Sequence, residues 1–346
     1  MKSAIQHFPP AYFALVMSTG IISLAAHQLH LDGLAEGLFY LNVVAFPLLL
    51  ALLLARLLLF FPDFRRELTD HATGANFLTV VAAAALLGNQ FLLLRHNQTL
   101  AAALWLLAVV AWLGLLYGFV LGVSLSPVKP PLAQGLNGSW LLLAVSTEAL
   151  AVLGAGLAEH LSGPAEVALF GALSLHLLGS AFYLVLITLL VYRLTFQKLE
   201  GEDVGAAYWI SVGASAITVL AGATLAEKLA PALPQLVPFV KAYAVLFWAL
   251  STWWLPLVAG LRLWNHLRTK PAFAFSPAYW SMVFPLGMYT AATGRLAEAL
   301  PLPALQAVPR YFFWLAAAAW LLTAVATLWH LATVARAPQP ASVGHH

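Results

Sequence analysis

Glu148 is the one acidic residue deep inside an apolar run of this sequence, in Ser146-Thr147-Glu148-Ala149-Leu150. A carboxylate in hydrocarbon costs about 3 kcal/mol or more unless it is paired, hydrated or protonated. Such a residue can carry a proton, pair with a cation, or anchor its helix through a hydrogen bond while neutral. Phe284 and Pro285 offer a different device. Pro285 has no N–H for the Ser281 carbonyl, so the helix is expected to kink beside the ring. A bulky apolar ring at a kink either gates a narrow passage by occlusion and dewetting or fills a core. Arg295, in Thr293-Gly294-Arg295, attracts anions if it faces a passage and snorkels to headgroups if it does not. Ten hydroxyls complete the set: Ser18, Thr19, Thr79, Ser146, Thr147, Ser211, Ser215, Thr218, Ser281 and Thr290. Hydroxyls replace part of an ion's hydration shell without a deep electrostatic trap; alternatively they bond back to their own helix carbonyls.

Other chemistries are excluded. The chain has no cysteine, which removes disulfides, thiolate metal sites and a Cys nucleophile. His176 and His330 are far apart, and neither has a His or carboxylate partner close in sequence. No metal, haem or other cofactor is therefore expected. An intramembrane enzyme needs His, Asp or Glu clustered at one depth, and Glu148 with scattered hydroxyls is not such a cluster, so no catalytic residue is expected. A net charge of +3 without a Lys/Arg run gives no nucleic-acid face.

These residues are carried by helices. Of the 346 residues, 62% are hydrophobic and 8% are charged, against about 25% charged in a soluble domain. The chain is a polytopic membrane protein whose partner is the lipid bilayer. A span needs roughly 20 apolar residues, and the breaks predict ten: 9–28, 37–61, 75–94, 100–124, 138–158, 166–195, 206–226, 237–266, 277–299 and 308–335. The even helices are longer and nearly featureless, and the odd helices hold most of the Ser, Thr and Gly. The residues 1–346 read as one transmembrane domain, with no signal peptide in Met1 to Pro10.

Orientation follows from the basic residues. Lys2, Arg56, Arg65, Arg66, Lys129, Arg193, Lys198, Arg262, Arg268, Lys270 and Arg336 lie on one side, and Arg95, Lys228, Lys241, Arg295 and Arg310 on the other, a split of 11 to 5. Both termini are expected in the cytoplasm, in keeping with a bacterial inner membrane protein. Asn137-Gly138-Ser139 matches a glycosylation acceptor but falls on the cytoplasmic edge. The helix starts at Pro9-Pro10, Asn137-Gly138 and Ser276-Pro277 present N–H groups that attract anions. The closing His345-His346 is either native or a tag remnant.

Each odd helix opens with an aromatic: Tyr12-Phe13, Asn76-Phe77, Ser139-Trp140, Tyr208-Trp209 and Tyr279-Trp280, the second members 64, 63, 69 and 71 residues apart. Five helix pairs in register predict five αα-hairpins. Four residues beyond each aromatic stand Met17, Val81, Ala144, Gly213 and Phe284; seven beyond stand Gly20, Ala84, Thr147, Ala216 and Gly287. Small residues allow close helix packing. In a fivefold repeat they also permit an inner ring of odd helices around a central pore, with the even helices outside. Met17, Ser18, Thr19, Gly20, Val81, Ala144, Thr147, Gly213, Ser215 and Gly287 would line it, and Phe284 would project into it.

Phe8-Pro9-Pro10-Ala11-Tyr12-Phe13 through Met17-Ser18-Thr19-Gly20-Ile21 resembles the first helix of the tellurite-resistance/dicarboxylate transporter family. Asn137-Gly138-Ser139-Trp140 with Val145-Ser146-Thr147-Glu148 resembles its fifth, and Trp280-Ser281-Met282-Val283-Phe284-Pro285-Leu286-Gly287 its ninth. The family includes plant slow-type anion channels, a bacterial tellurite-resistance protein, fungal malate permeases and sulfite exporters. The resemblance implies a homotrimer with one pore per protomer, small inorganic or carboxylate anions as substrates, and Phe284 as the residue that occludes the pore. The chain lacks the long regulatory tails of the plant channels. Glu148 is closer to the bacterial and permease members, which leaves passive conduction and proton-coupled dicarboxylate or sulfite transport both open.

Overall fold

In the computed structural model, described for residues 2–161, 163–198, 205–269 and 276–336, ten long helices follow one another and no strand occurs among those residues. They are α1 (Phe13–Gln28), α2 (Asp32–Leu59), α3 (Thr79–Arg95), α4 (Gln98–Leu125), α5 (Leu142–Leu157), α6 (Ala165–Phe196), α7 (Ile210–Leu229), α8 (Val237–Thr269), α9 (Trp280–Ala299) and α10 (Ala307–Arg336). Met1, Lys270 and His345-His346 lie outside the described residues. Among the described residues, nine helical segments are long and apolar enough to cross a membrane. The segment around α9 is not among the nine, because Tyr289, Thr290, Thr293, Arg295 and Glu298 dilute its apolar character.

Three short helices were not anticipated. Lys2–Gln6 and Phe61–Leu68 are joined by Gln6, whose amide donates to Asp63 at 2.7 Å. Phe61–Leu68 buries Phe64 and Leu68 while Arg65 and Arg66 stay in solvent, the pattern of an interfacial helix. The third, Leu132–Gly135, precedes α5.

Each odd helix is preceded by a 3₁₀ turn: Pro10–Tyr12, Gly74–Leu78, Gly138–Leu141, Ala206–Trp209 and Pro277–Tyr279. The repeated aromatics fall in these turns or on the first residue of the helix. Asn137 accepts from Ser139 N at 2.8 Å and Ser276 from Ala278 N at 3.3 Å, so side chains cap two of the starts.

Odd and even helices differ sharply in burial. The apolar windows of α1, α3, α5 and α7 are 72–89% buried, and those of the even helices 17–39%. Lipid-facing Leu, Val and Trp side chains account for the second range. α1 packs on α3, α3 on α5, α5 on α7, α7 on α9 and α9 on α1, so the packing order of the odd helices closes on itself. The five 3₁₀ turns touch one another in the same closed order, which brings the amino ends of all five odd helices to one face. Each even helix packs on its own hairpin partner and on the odd helix of the next hairpin, with α10 returning to α1.

Polar bonds mark these junctions. Trp112 Nε1 donates to Thr147 Oγ1 at 2.9 Å, Trp248 Nε1 to Thr293 Oγ1 at 3.1 Å, and Trp320 Nε1 to Thr19 Oγ1 at 2.9 Å. Asn42 of α2 donates to Gln90 of α3 at 2.9 Å. Each is worth about 0.5–1.5 kcal/mol, and together they fix the order in which hairpins meet. At the amino-end face two arginines, each 3% exposed, tie hairpins together. Arg56 donates to the Phe8 carbonyl at 2.8 Å and pairs with Glu67; Arg193 bonds the Tyr208 hydroxyl and the Ala133 carbonyl.

Candidate functional site

Phe284 sits on α9, 2% exposed, with its ring laid against the bare backbone of Gly213 on α7. A methyl at Gly213 would lie 2.9 Å from Phe284 Cε1 and 3.1 Å from Pro285 Cγ. Repeat four therefore has glycine where repeat five has phenylalanine, and the absence of a side chain makes the ring's seat. Met17, Val81 and Ala144, the other members of that layer, are equally buried. Gly20 and Gly287 lie one turn further on, and each meets a neighbouring helix. A Cβ at Gly20 would approach Asn42 Nδ2 to 3.0 Å, and one at Gly287 would approach Ile21 and Ile22 to 2.8 Å. Close helix packing accounts for both.

The hydroxyls are mostly engaged. Thr147 donates to the Leu143 carbonyl at 2.7 Å while accepting from Trp112; Ser215 donates to the Ser211 carbonyl at 2.9 Å while accepting from Ser251. Ser18 donates to the Trp280 carbonyl at 2.8 Å, and Thr19 accepts from Trp320. Thr79, Ser146, Ser211, Thr218 and Thr290 likewise donate to backbone carbonyls, and Ser281 is half-buried. A hydroxyl whose proton is committed to a carbonyl presents lone pairs, not a donor.

Glu148 is fully buried and has a partner that sequence reasoning missed. His176 of α6, expected to stand without a carboxylate, places Nδ1 2.8 Å from Glu148 Oε2. Ser180 donates to the other carboxylate oxygen at 3.2 Å, and Thr218 of α7 faces the same group. A methyl at Gly179 would sit 2.8 Å from Glu148 Cγ, so that glycine admits the carboxylate between α5 and α6. The signal lay in the hairpin. Glu148 and His176 each stand 14 residues from position 162, between α5 and α6, and residues equidistant from a helical turn meet across it.

Arg295, read from sequence either as an attractor of anions or as a residue that snorkels to headgroups, bonds Glu298 at 2.7 Å and Glu227 at 2.5 Å. Glu227 is 68 residues away in sequence and was invisible to a local reading. This cluster rims a cavity of about 390 Å³ at the carboxyl ends of the odd helices, lined also by Ala223, Val237 and Lys241.

The profile of the voltage-dependent anion channels, SLAC1, matches residues 7–328. A sulfite efflux pump of Trichophyton rubrum is 24% identical, over 95% of this chain and 92% of its own length. A transporter of Methanocaldococcus jannaschii is 23% identical over 93% of both chains. A membrane protein of Mycobacterium tuberculosis is 37% identical over 43% of this chain and 77% of its own length.

Proposed function

The chain belongs to the SLAC1 voltage-dependent anion channel family, and from that premise we propose that it carries small anions across the bilayer along the axis of its odd helices, with Phe284 as the closure. The observation that carries the reading is the convergence of five helix amino ends on one face, combined with a single aromatic ring seated on Gly213 further along. Each amino end bears roughly half a positive charge, so five of them at one face favour an anion there. Phe284 is the one large aromatic in its layer of the repeat, and its seat is a contact that a rotamer change can break.

Sulfite is the first substrate to test, because a relative matched over almost its full length is a sulfite pump; chloride, nitrate and C4-dicarboxylates follow. Purified protein in planar bilayers under an anion gradient should give a much larger current as Phe284→Ala than as wild type, reversing near the anion equilibrium potential. Silence in both, with folding verified, refutes the open-pore reading. The same reading puts both termini in the cytoplasm of a bacterial inner membrane and three protomers in the assembly. The native chain lacks cysteine, so single cysteines introduced near Arg65 and Arg310 report sidedness cleanly.

A second reading, proton-coupled transport of a dicarboxylate or sulfite, is favoured by the buried Glu148–His176 pair. Uptake at fixed substrate gradient should then follow the pH gradient and lose that response in Glu148→Gln.

A further inference from the structure

His176 uses one ring nitrogen. Nδ1 is bonded to Glu148, while Nε2 is fully buried and has no hydrogen-bond partner among the described residues. An orphaned buried polar atom costs about 1–3 kcal/mol and asks what occupies it. Nε2 points at Gly222 of α7: a methyl there would lie 3.6 Å from Nε2, 3.6 Å from the Val240 carbonyl and 3.0 Å from Ala244 Cβ. The next residue, Ala223, lines the carboxyl-end cavity, and so does Lys241, next to Val240. Gly222 and Val240, both close to the free nitrogen, are thus each one residue away from the vestibule wall.

We propose that Glu148 and His176 form a proton-exchange site that opens to the carboxyl-end vestibule through His176 Nε2. It rests on the proton-coupled reading for its use in transport, but its chemistry stands apart from it. In the unloaded state the Nδ1 proton is donated to the Glu148 carboxylate, Nε2 holds a lone pair, and the pair carries one negative charge. A proton arriving from the vestibule bonds to Nε2. The Nδ1 proton then shifts to the carboxylate, leaving a neutral acid and a neutral imidazole. One proton is gained and no other bond changes. Because Glu148 belongs to α5, one of the odd helices, the unloaded charge repels an anion on the axis and the loaded pair does not. One proton and one anion thereby favour each other's presence.

The surroundings contain little else that titrates. Ser180 and Tyr183 lie on α6, Thr218 and Ser215 on α7, and Thr147 on α5 itself. Tyr243 of α8 meets the imidazole edge-to-face at 5.9 Å, and Tyr183 and Tyr243 both meet Phe247 edge-on. α4 presents Trp112 towards α5, where it donates to Thr147. The charged groups nearest along these helices are Glu227 and Lys241, both in the vestibule wall.

The test is infrared difference spectroscopy of the reconstituted protein, scanned between about pH 5 and 8, where a histidine-linked site exchanges. The wild type should show a carboxylic-acid carbonyl band that grows as pH falls and is absent in Glu148→Gln. His176→Asn keeps a donor at the Nδ1 position and removes Nε2, so it should move the midpoint of that band by at least one pH unit. Gly222→Ala retains both partners and places a methyl 3.6 Å from Nε2 on the vestibule side, so it should slow deuterium exchange of the site severalfold while leaving the midpoint in place. No titrating band in the wild type, or an unmoved midpoint in His176→Asn, overturns the proposal. Sulfite uptake into the same vesicles is read separately: a titrating site with uptake that ignores the pH gradient upholds the exchange site and removes the coupled-transport reading.

Discussion

Gly213→Ala asks whether Phe284 moves. In the structure described above, the added methyl would stand 2.9 Å from Phe284 Cε1, 3.0 Å from Cδ1 and 3.1 Å from Pro285 Cγ, where ordinary contact begins at 3.4 Å. If the ring stays in its seat, overpacking of this kind costs about 1–3 kcal/mol. If the ring can leave, departure relieves that strain, and the ratio of open to closed rises by the same free energy, about 5–150-fold. The assay is anion efflux from proteoliposomes, with thermal unfolding of the same preparation in detergent. Gly156→Ala is the control, because its methyl meets Leu92 Cδ2 at 2.9 Å and nothing else within 4 Å. It should destabilise the protein and leave flux unchanged. A Gly213→Ala protein that loses stability like the control and keeps wild-type flux refutes the gate and returns Phe284 to the core.

Breaking the buried pair from either side, as Glu148→Gln or His176→Ala, should cost about 1–3 kcal/mol, and the double variant should cost clearly less than the sum; additive losses in thermal unfolding would show that the two do not interact. Trp320→Phe removes the N–H that reaches Thr19 and should lower stability by about 0.5–1.5 kcal/mol, with Trp112→Phe behaving alike; no change in either would remove the junction bonds from the account. Asp63 is held below the usual carboxylate range by the Gln6 amide and, beside it, by Arg66. Its contribution is therefore complete above about pH 4 and fades as pH falls through the lower folded value; Gln6→Ala should weaken acid-side stability, and an unaltered unfolding profile between about pH 5 and 3 counts against the linkage.

The helix ends and hairpin pairing were legible because bilayer thickness imposes apolar runs of one length, interrupted by charges and prolines. Gly138 and Pro277 begin the 3₁₀ turns that lead into α5 and α9, and α1 ends at Gln28. α2 begins at Asp32, five residues before its expected start, because Asp32, Gly33 and Glu36 look like a loop by composition. Glu148 could be singled out because a lone acid in an apolar run is costly wherever it points. His176 could not, because one imidazole in a long apolar helix is ordinary until α6 packs back on α5 and brings it to the acid. Gly213 was visible as a small residue, but its meaning depends on Phe284, 71 positions away and on another hairpin. The partners of Arg295 were hidden for the same reason: a charge is judged by its neighbours, and Glu227 comes from α7.

The closed packing order has a consequence for how the chain is made. α1 is complete early in synthesis, yet Ser18 waits for the Trp280 carbonyl, 262 residues on, and Thr19 for Trp320, 301 residues on. At roughly 5–20 residues per second, that interval is about 15–60 s. Throughout it the first helix has been inserted with one flank unoccupied and its polar hydroxyls turned towards lipid or the insertion machinery. Four hairpins form an arc whose two ends present unmatched surfaces, and each further hairpin extends the arc without closing it. The fifth hairpin converts both ends into one seam. A nascent chain stalled before α9 should therefore be recognised as an orphan by quality-control proteases even though most of its spans are already in place.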